Sequence, residues 1–289
     1  MQYSDQKKGM LIAFTAIMFI TPDSLFIRLA NLNSWNLIFY RGFIPFVVVL
    51  FGLLIIYKKK FISELIKNGW HGLAYAGVFT LTNIFFVISI ENTNVANTLI
   101  MIALAPMLSA VISFIFLKEN TDLKTWIAIT VTTLAVIYIF NDSFERGDVL
   151  GNFLGLVCAT GLAVGAVIIR SSKRISLVPS AMMGKLMVTL IALFFADNLV
   201  LEGSDSIIIP LMCVMCVAIP FVLITLAPRY ISAAEVNLFF LLETIFGPLW
   251  VWFVIKEQPS TETIFGGIVI IATIAIHSIL SLKKPSFSK

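Results

Sequence analysis

Residues Ala96–Glu119 read ANTLIMIALAPMLSAVISFIFLKE, and Ala234–Glu257 read AEVNLFFLLETIFGPLWVWFVIKE. The two stretches are equal in length, both end in a Lys-Glu pair, and the second begins 138 residues after the first. Each holds an apolar run of about 20 residues, the length a helix needs to cross the hydrocarbon of a bilayer. Working outward, such runs recur between polar punctuation: Met10–Ala30, Trp35–Tyr57, Gly69–Ile90, Val95–Leu117, Leu123–Phe140, Val149–Ile169, Leu177–Asn198, Ile207–Ala227, Ala233–Ile255 and Thr261–Leu280. The same shift superimposes the third run on the eighth and the fifth on the tenth, and nearly superimposes the first two on the sixth and seventh. The expected fold is an all-α membrane protein of ten transmembrane helices in two five-helix repeats, residues 1–145 and 146–289. Because five is odd, the second repeat crosses the membrane in the opposite sense, and the repeats are inverted.

Composition agrees. The chain is 59% hydrophobic and 12% charged, against about 25% charged in ordinary soluble domains. Its mean hydropathy of +1.00 exceeds what a buried core alone supplies, so the lipid bilayer is the solvent. A net charge of +4 does not point to nucleic acid, because in a membrane protein the placement of the cations matters more than their sum. Fifteen loop Lys and Arg residues fall on the side of the N-terminus, and the other side holds only Arg146 and Lys256. That bias predicts both termini in the cytoplasm of a multi-pass protein of the inner (plasma) membrane. Pro22 and Asp23 interrupt the first run and no small-residue cleavage site is evident, so the run is expected to be retained.

Cys158, Cys213 and Cys216 all lie in apolar stretches. The Cys-x-x-Cys spacing of the last two lacks a second ligand pair, so no metal and no cofactor is expected. His71 and His277 have no carboxylates at helical spacing, and no phosphate loop or nucleophile elbow is present. The chain does not read as an enzyme.

The stretch Thr93-Asn94-Val95-Ala96-Asn97, Pro106 running into Phe116-Leu117-Lys118-Glu119, and Leu242-Glu243-Thr244-Ile245-Phe246 running into Lys256-Glu257 resemble the drug/metabolite transporter superfamily, specifically paired EamA-type domains. Arg41 also stands where that family usually has an arginine. One departure is visible: the family commonly reads Leu-Glu-Pro where this chain has Leu242-Glu243-Thr244, with its proline displaced to Pro248. The resemblance implies a secondary active transporter that works by alternating access. Amino acids or their derivatives are the first choice of substrate. Cationic drugs, nucleobases and a non-transporting membrane role are the alternatives. Coupling to protons through an intramembrane carboxylate, to exchange, or to nothing stays open, as does import against export.

Ionisable groups at membrane depth cost roughly 2.5 to 3.5 kcal/mol on insertion scales and so tend to face a wet interior. Glu243, in the middle of the ninth run, is the leading candidate for binding or coupling, followed by Asp23 beside Pro22 and by Arg41. Each has an alternative reading as a structural ion pair. Asn83, Asn97 and Asn237 offer donors and acceptors to a zwitterion, or equally to neighbouring helices. Pro22, Pro106, Pro220 and Pro248 are candidate hinges. Arg28 and Lys185 read as interfacial side chains that reach toward the surface. The fifth and tenth runs, free of ionisable groups at mid-depth, suit lipid and a partner subunit equally, so oligomeric state is not legible.

Overall fold

The structure is a computed structural model that describes residues 3–117, 123–172, 175–227, 230 and 233–282. Its helices are α1 (Tyr3–Ile20), α2 (Asp23–Leu29), α3 (Ser34–Tyr57), α4 (Phe61–Lys67), α5 (Gly69–Asn92), α6 (Val95–Ile102), α7 (Ala105–Leu117), α8 (Leu123–Arg146), α9 (Val149–Ser171), α10 (Val178–Phe195), α11 (Asp205–Met212), α12 (Ile219–Leu226), α13 (Ala233–Ile255) and α14 (Thr261–Leu282). Three spans are composite. Helices α1 and α2 join end to end at Thr21-Pro22, α6 and α7 join at Ala103-Leu104, and a π-helical stretch, Cys213–Ala218, links α11 to α12.

Seven spans are long and apolar enough to cross a membrane unaided, and α8, α13 and α14 contain shorter apolar stretches. These three helices have 24, 23 and 22 residues, which at 1.5 Å per residue exceeds a hydrocarbon core of about 30 Å. Ten crossings result. In lipid a helix satisfies its own backbone hydrogen bonds, which is why these apolar sequences adopt no other form.

The two halves interdigitate. Helix α3 packs on α10, α6 on α13, and α8 on α14, so the second, fourth and fifth spans each touch their own repeat mate. The third span packs on the sixth through α5 and α9, and the first packs on the eighth through α1 and α12. Exchanging the halves turns one of those contacts into the other, as an inverted two-fold requires.

Close approach between halves depends on small residues. At Gly42, a Cβ would lie 2.6 Å from Thr189 Oγ1, 2.8 Å from the Thr189 nitrogen and 3.0 Å from the Lys185 carbonyl oxygen. Two of those atoms are backbone and cannot swing aside. Gly42→Ala is therefore expected to cost about 1 to 3 kcal/mol, the usual range for overpacking. A lowered thermal midpoint in detergent micelles checks this, and an unchanged midpoint would show the α3–α10 seam to be loose.

The proline positions differ among themselves. Pro22 occupies the α1–α2 break, Pro106 follows the α6–α7 break, and Pro220 lies in the first turn of α12, just after the π-helical stretch. Pro248 lies inside α13, which runs on as one helix from Ala233 to Ile255. Thr244 stands at the position of Pro106 in the other repeat, so its N–H stays available to the helix.

Candidate functional site

Alternation of the spans places the start of α5, the end of α9, the start of α10, the end of α12 and the start of α13 on the face where α1 begins, here the near face. A cavity of about 180 Å³ lies between the halves. Its lining reaches toward the near face at Tyr75, Ile169 and Thr225, all within about two turns of their helix ends. Most of the wall is apolar or aromatic, but four acidic or basic side chains enter it: Asp23, Arg41, Lys185 and Glu243.

Asp23 is the first residue after the Thr21-Pro22 break and is 3% exposed. Arg41, from the second span, is 6% exposed. Its Nη1 and Nη2 donate to the two Asp23 carboxylate oxygens at 2.6 and 2.7 Å. This forked pairing fixes both groups in one plane. The guanidinium also lies 5.7 Å from the ring centre of Phe86. The pair cancels its own charge and ties the broken first span to α3.

Glu243 is 6% exposed and lines the cavity from α13. It makes no hydrogen bond or ion pair among the described residues. The Asp23–Arg41 pair lines the same cavity. A short carboxylate held at this depth has no route to either surface, so its only polar company is what enters the cavity.

Asn83 also lines the cavity. Its Nδ2 donates to the Phe79 carbonyl at 2.6 Å, and its Oδ1 accepts from Lys185 Nζ at 2.5 Å. Asn97 is placed elsewhere. Its Nδ2 donates to Thr93 Oγ1 at 3.0 Å and its Oδ1 accepts from Thr263 Oγ1 at 2.5 Å. Fully engaged between helices, Asn97 packs the fourth span against the tenth and does not line the cavity. The side chain of Asn237 lies outside the described residues.

Of the two residues read as interfacial from sequence, Lys185 lies in the cavity and Arg28 at the far end of its span. Lys185 is 1% exposed and is the largest fully buried side chain among the described residues. It stands seven residues into α10, roughly 10 Å along the helix, and points into the cavity instead of toward the surface. Arg28 closes the far face: its Nε lies 3.1 Å from Glu257 Oε2, and its Nη2 donates to the Thr93 carbonyl at 2.7 Å. Glu257 in turn accepts the Val95 N–H at 2.8 Å. Further bonds gather there between halves, from Asn31 N to Asp205, from Asn36 Nδ2 to the Asn198 carbonyl at 2.5 Å, and from Tyr40 to the Leu199 carbonyl at 2.5 Å. Ser34 and Glu91 bond within the first half. The far face is latched, while the cavity wall extends toward the near face.

A model of the EamA-like transporter family matches residues 7–141 and again residues 146–279. A solved crystal structure aligns over 96% of this chain and 100% of its own, with a TM-score of 0.68 at 16% identity, and so shares the fold. No curated protein matches the sequence. With nearly the whole length covered by two copies of one family model, the chain belongs to the EamA-like transporter family of small-molecule membrane transporters.

Proposed function

We propose that the protein is a secondary carrier that moves a small zwitterionic metabolite, an amino acid or a derivative of one, by alternating access through the cavity between its repeats. Glu243 carries this reading: it is a buried carboxylate on the cavity wall without a partner among the described residues, suited to a substrate ammonium or to a proton. Asp23 and Arg41 hold the broken first span in register beside it. A proton and an ammonium cannot occupy one carboxylate together, and their competition is the means by which proton flow couples to substrate flow. The cavity volume of about 180 Å³ lies below the roughly 300 to 1,000 Å³ of drug-sized sites. That size, with the ammonium of Lys185 in the wall, weighs against a bulky cationic drug.

With both termini in the cytoplasm, the orientation that the loop charges favour, the described arrangement faces inward with its outer end latched. Reconstitution in liposomes, with flux of an amino-acid, amine and nucleobase panel measured under imposed pH gradients, tests the whole reading. Saturable amino-acid flux supports it, and flux of no panel member above that of protein-free vesicles would overturn it.

The latch makes its own prediction. Arg28 and Glu257 keep 25% and 19% of their side-chain surface exposed, so water screens the pair and its worth is about 0.5 to 1 kcal/mol. Glu257→Gln should then shift the equilibrium between access states roughly two- to fivefold. Cys158 and Cys216 line the cavity and report the change: a membrane-impermeant maleimide applied on the Arg28 side should label them faster by that factor. Labelling at the wild-type rate would mean that the ion pair does not hold the outer end.

A further inference from the structure

Lys185 is the one cavity cation without an anionic partner among the described residues. An ammonium has three donors, and a single acceptor, Asn83 Oδ1, is supplied to this one. Phe79 and Phe221 face the same nitrogen, with ring centres 5.3 and 5.8 Å away. Rings offset part of the lost hydration of a cation but accept no conventional hydrogen bond. Two of its donors thus have no hydrogen-bond partner among the described residues, on a side chain that lines the cavity. Such a group is costly until an anion arrives. The same cavity is lined by the mirror case, Glu243, an acceptor without a donor among the described residues, and the two form no ion pair with each other. The Asp23–Arg41 pair that lines the cavity with them is internally neutral. The wall therefore presents one unsatisfied positive end and one unsatisfied negative end.

We propose that Lys185, oriented by Asn83 and flanked by Phe79 and Phe221, is an anion subsite that takes a carboxylate of the transported molecule. The assignment rests on the carrier reading above and adds the second pole of its substrate. Glu243 holds the ammonium and Lys185 the carboxylate, so the site selects a zwitterion over a plain amine or a plain acid. Asn83 keeps the ammonium in place by binding it through Oδ1 while its own Nδ2 is anchored to the Phe79 carbonyl. The rings deny the carboxylate a water shell on one side.

The test uses purified full-length protein in detergent micelles and reads stabilisation against heat by four probes: pentanoate, pentanamide, butylamine and chloride at equal ionic strength. Pentanoate should stabilise the wild type where pentanamide and chloride do not. Lys185→Gln should weaken pentanoate affinity about tenfold to 100-fold, the worth of a charge-assisted hydrogen bond, while leaving the butylamine response in place. Equal responses to pentanoate and pentanamide, or to pentanoate and chloride, in the wild type would overturn the subsite, and that comparison needs no variant to fold. Wild-type pentanoate affinity in Lys185→Gln would overturn it as well. Lys185-dependent pentanoate binding in a protein that shows no flux in liposomes would keep the subsite and remove the carrier reading, which separates the two failures.

Discussion

Glu243→Gln is expected to abolish concentrative transport and to lower kcat/KM for a zwitterionic substrate roughly 30-fold to several thousand-fold. The range follows from about 2 to 5 kcal/mol for removing one partner of a buried charge pair, at about 1.4 kcal/mol per decade. In this protein the partner is the substrate's ammonium, because no described residue pairs with Glu243. The carboxamide keeps the shape of the side chain, so helix α13 and the cavity wall persist while the charge is lost. Competition by protons should vanish with it. In the wild type, acidification through the titration of Glu243 neutralises the carboxylate and weakens substrate binding, whereas a carboxamide has no proton to take up and its residual flux is flat with pH. Counterflow in liposomes across a pH series measures both effects. A Gln variant with wild-type rates and a wild-type pH profile would remove Glu243 from the mechanism.

The lipid made the architecture readable. A chain that must satisfy every backbone N–H and C=O inside hydrocarbon has one compact solution per span, so runs of about 20 apolar residues translate directly into the observed helices. The two Lys-Glu endings exposed the repeat because they mark corresponding positions, although Lys118 and Glu119 lie outside the described residues. Asp23, Arg41 and Glu243 were legible for the opposite reason: their charge is out of place in an apolar run. What the sequence withheld depended on partners distant along the chain. Asn97 could have faced a ligand or a helix, and the deciding neighbour, Thr263, is 166 residues away. Lys185 looked like a side chain able to reach water, because a long flexible stem near a helix start usually does. Only the packing of α10 between α3 and α5 turns it inward. A charged residue seven positions inside a span is the signal the sequence offers for it. Glu257 marks the repeat in the sequence, but its hold on Arg28 and on the Val95 N–H belongs to the joining of loops that sequence does not order.

Asp23→Ala and Arg41→Ala are each expected to destabilise the protein by about 3 to 5 kcal/mol, the cost of stranding one member of a buried ion pair. Both groups are almost wholly buried, their forked bonds lie at 2.6 and 2.7 Å, and neither has another ion-pair partner among the described residues. The loss falls at a weak point of the fold, since Asp23 begins α2 just after the chain breaks at Thr21-Pro22. Replacing both residues, as in Asp23→Leu with Arg41→Met, removes the pair without stranding either charge. That double variant should recover most of the lost stability, because an apolar pair of similar bulk replaces a buried salt bridge at little cost. It should not recover transport. Glu243 and Lys185 share the cavity with this pair, which fixes the register of the first span against α3, and apolar side chains set that register only by packing. Thermal midpoints in micelles, combined in a double-mutant cycle and set beside liposome flux, separate the two contributions. If the two single-variant losses simply add in the double variant, the pair is not the unit proposed; if the double variant transports normally, its role is confined to holding the helices together.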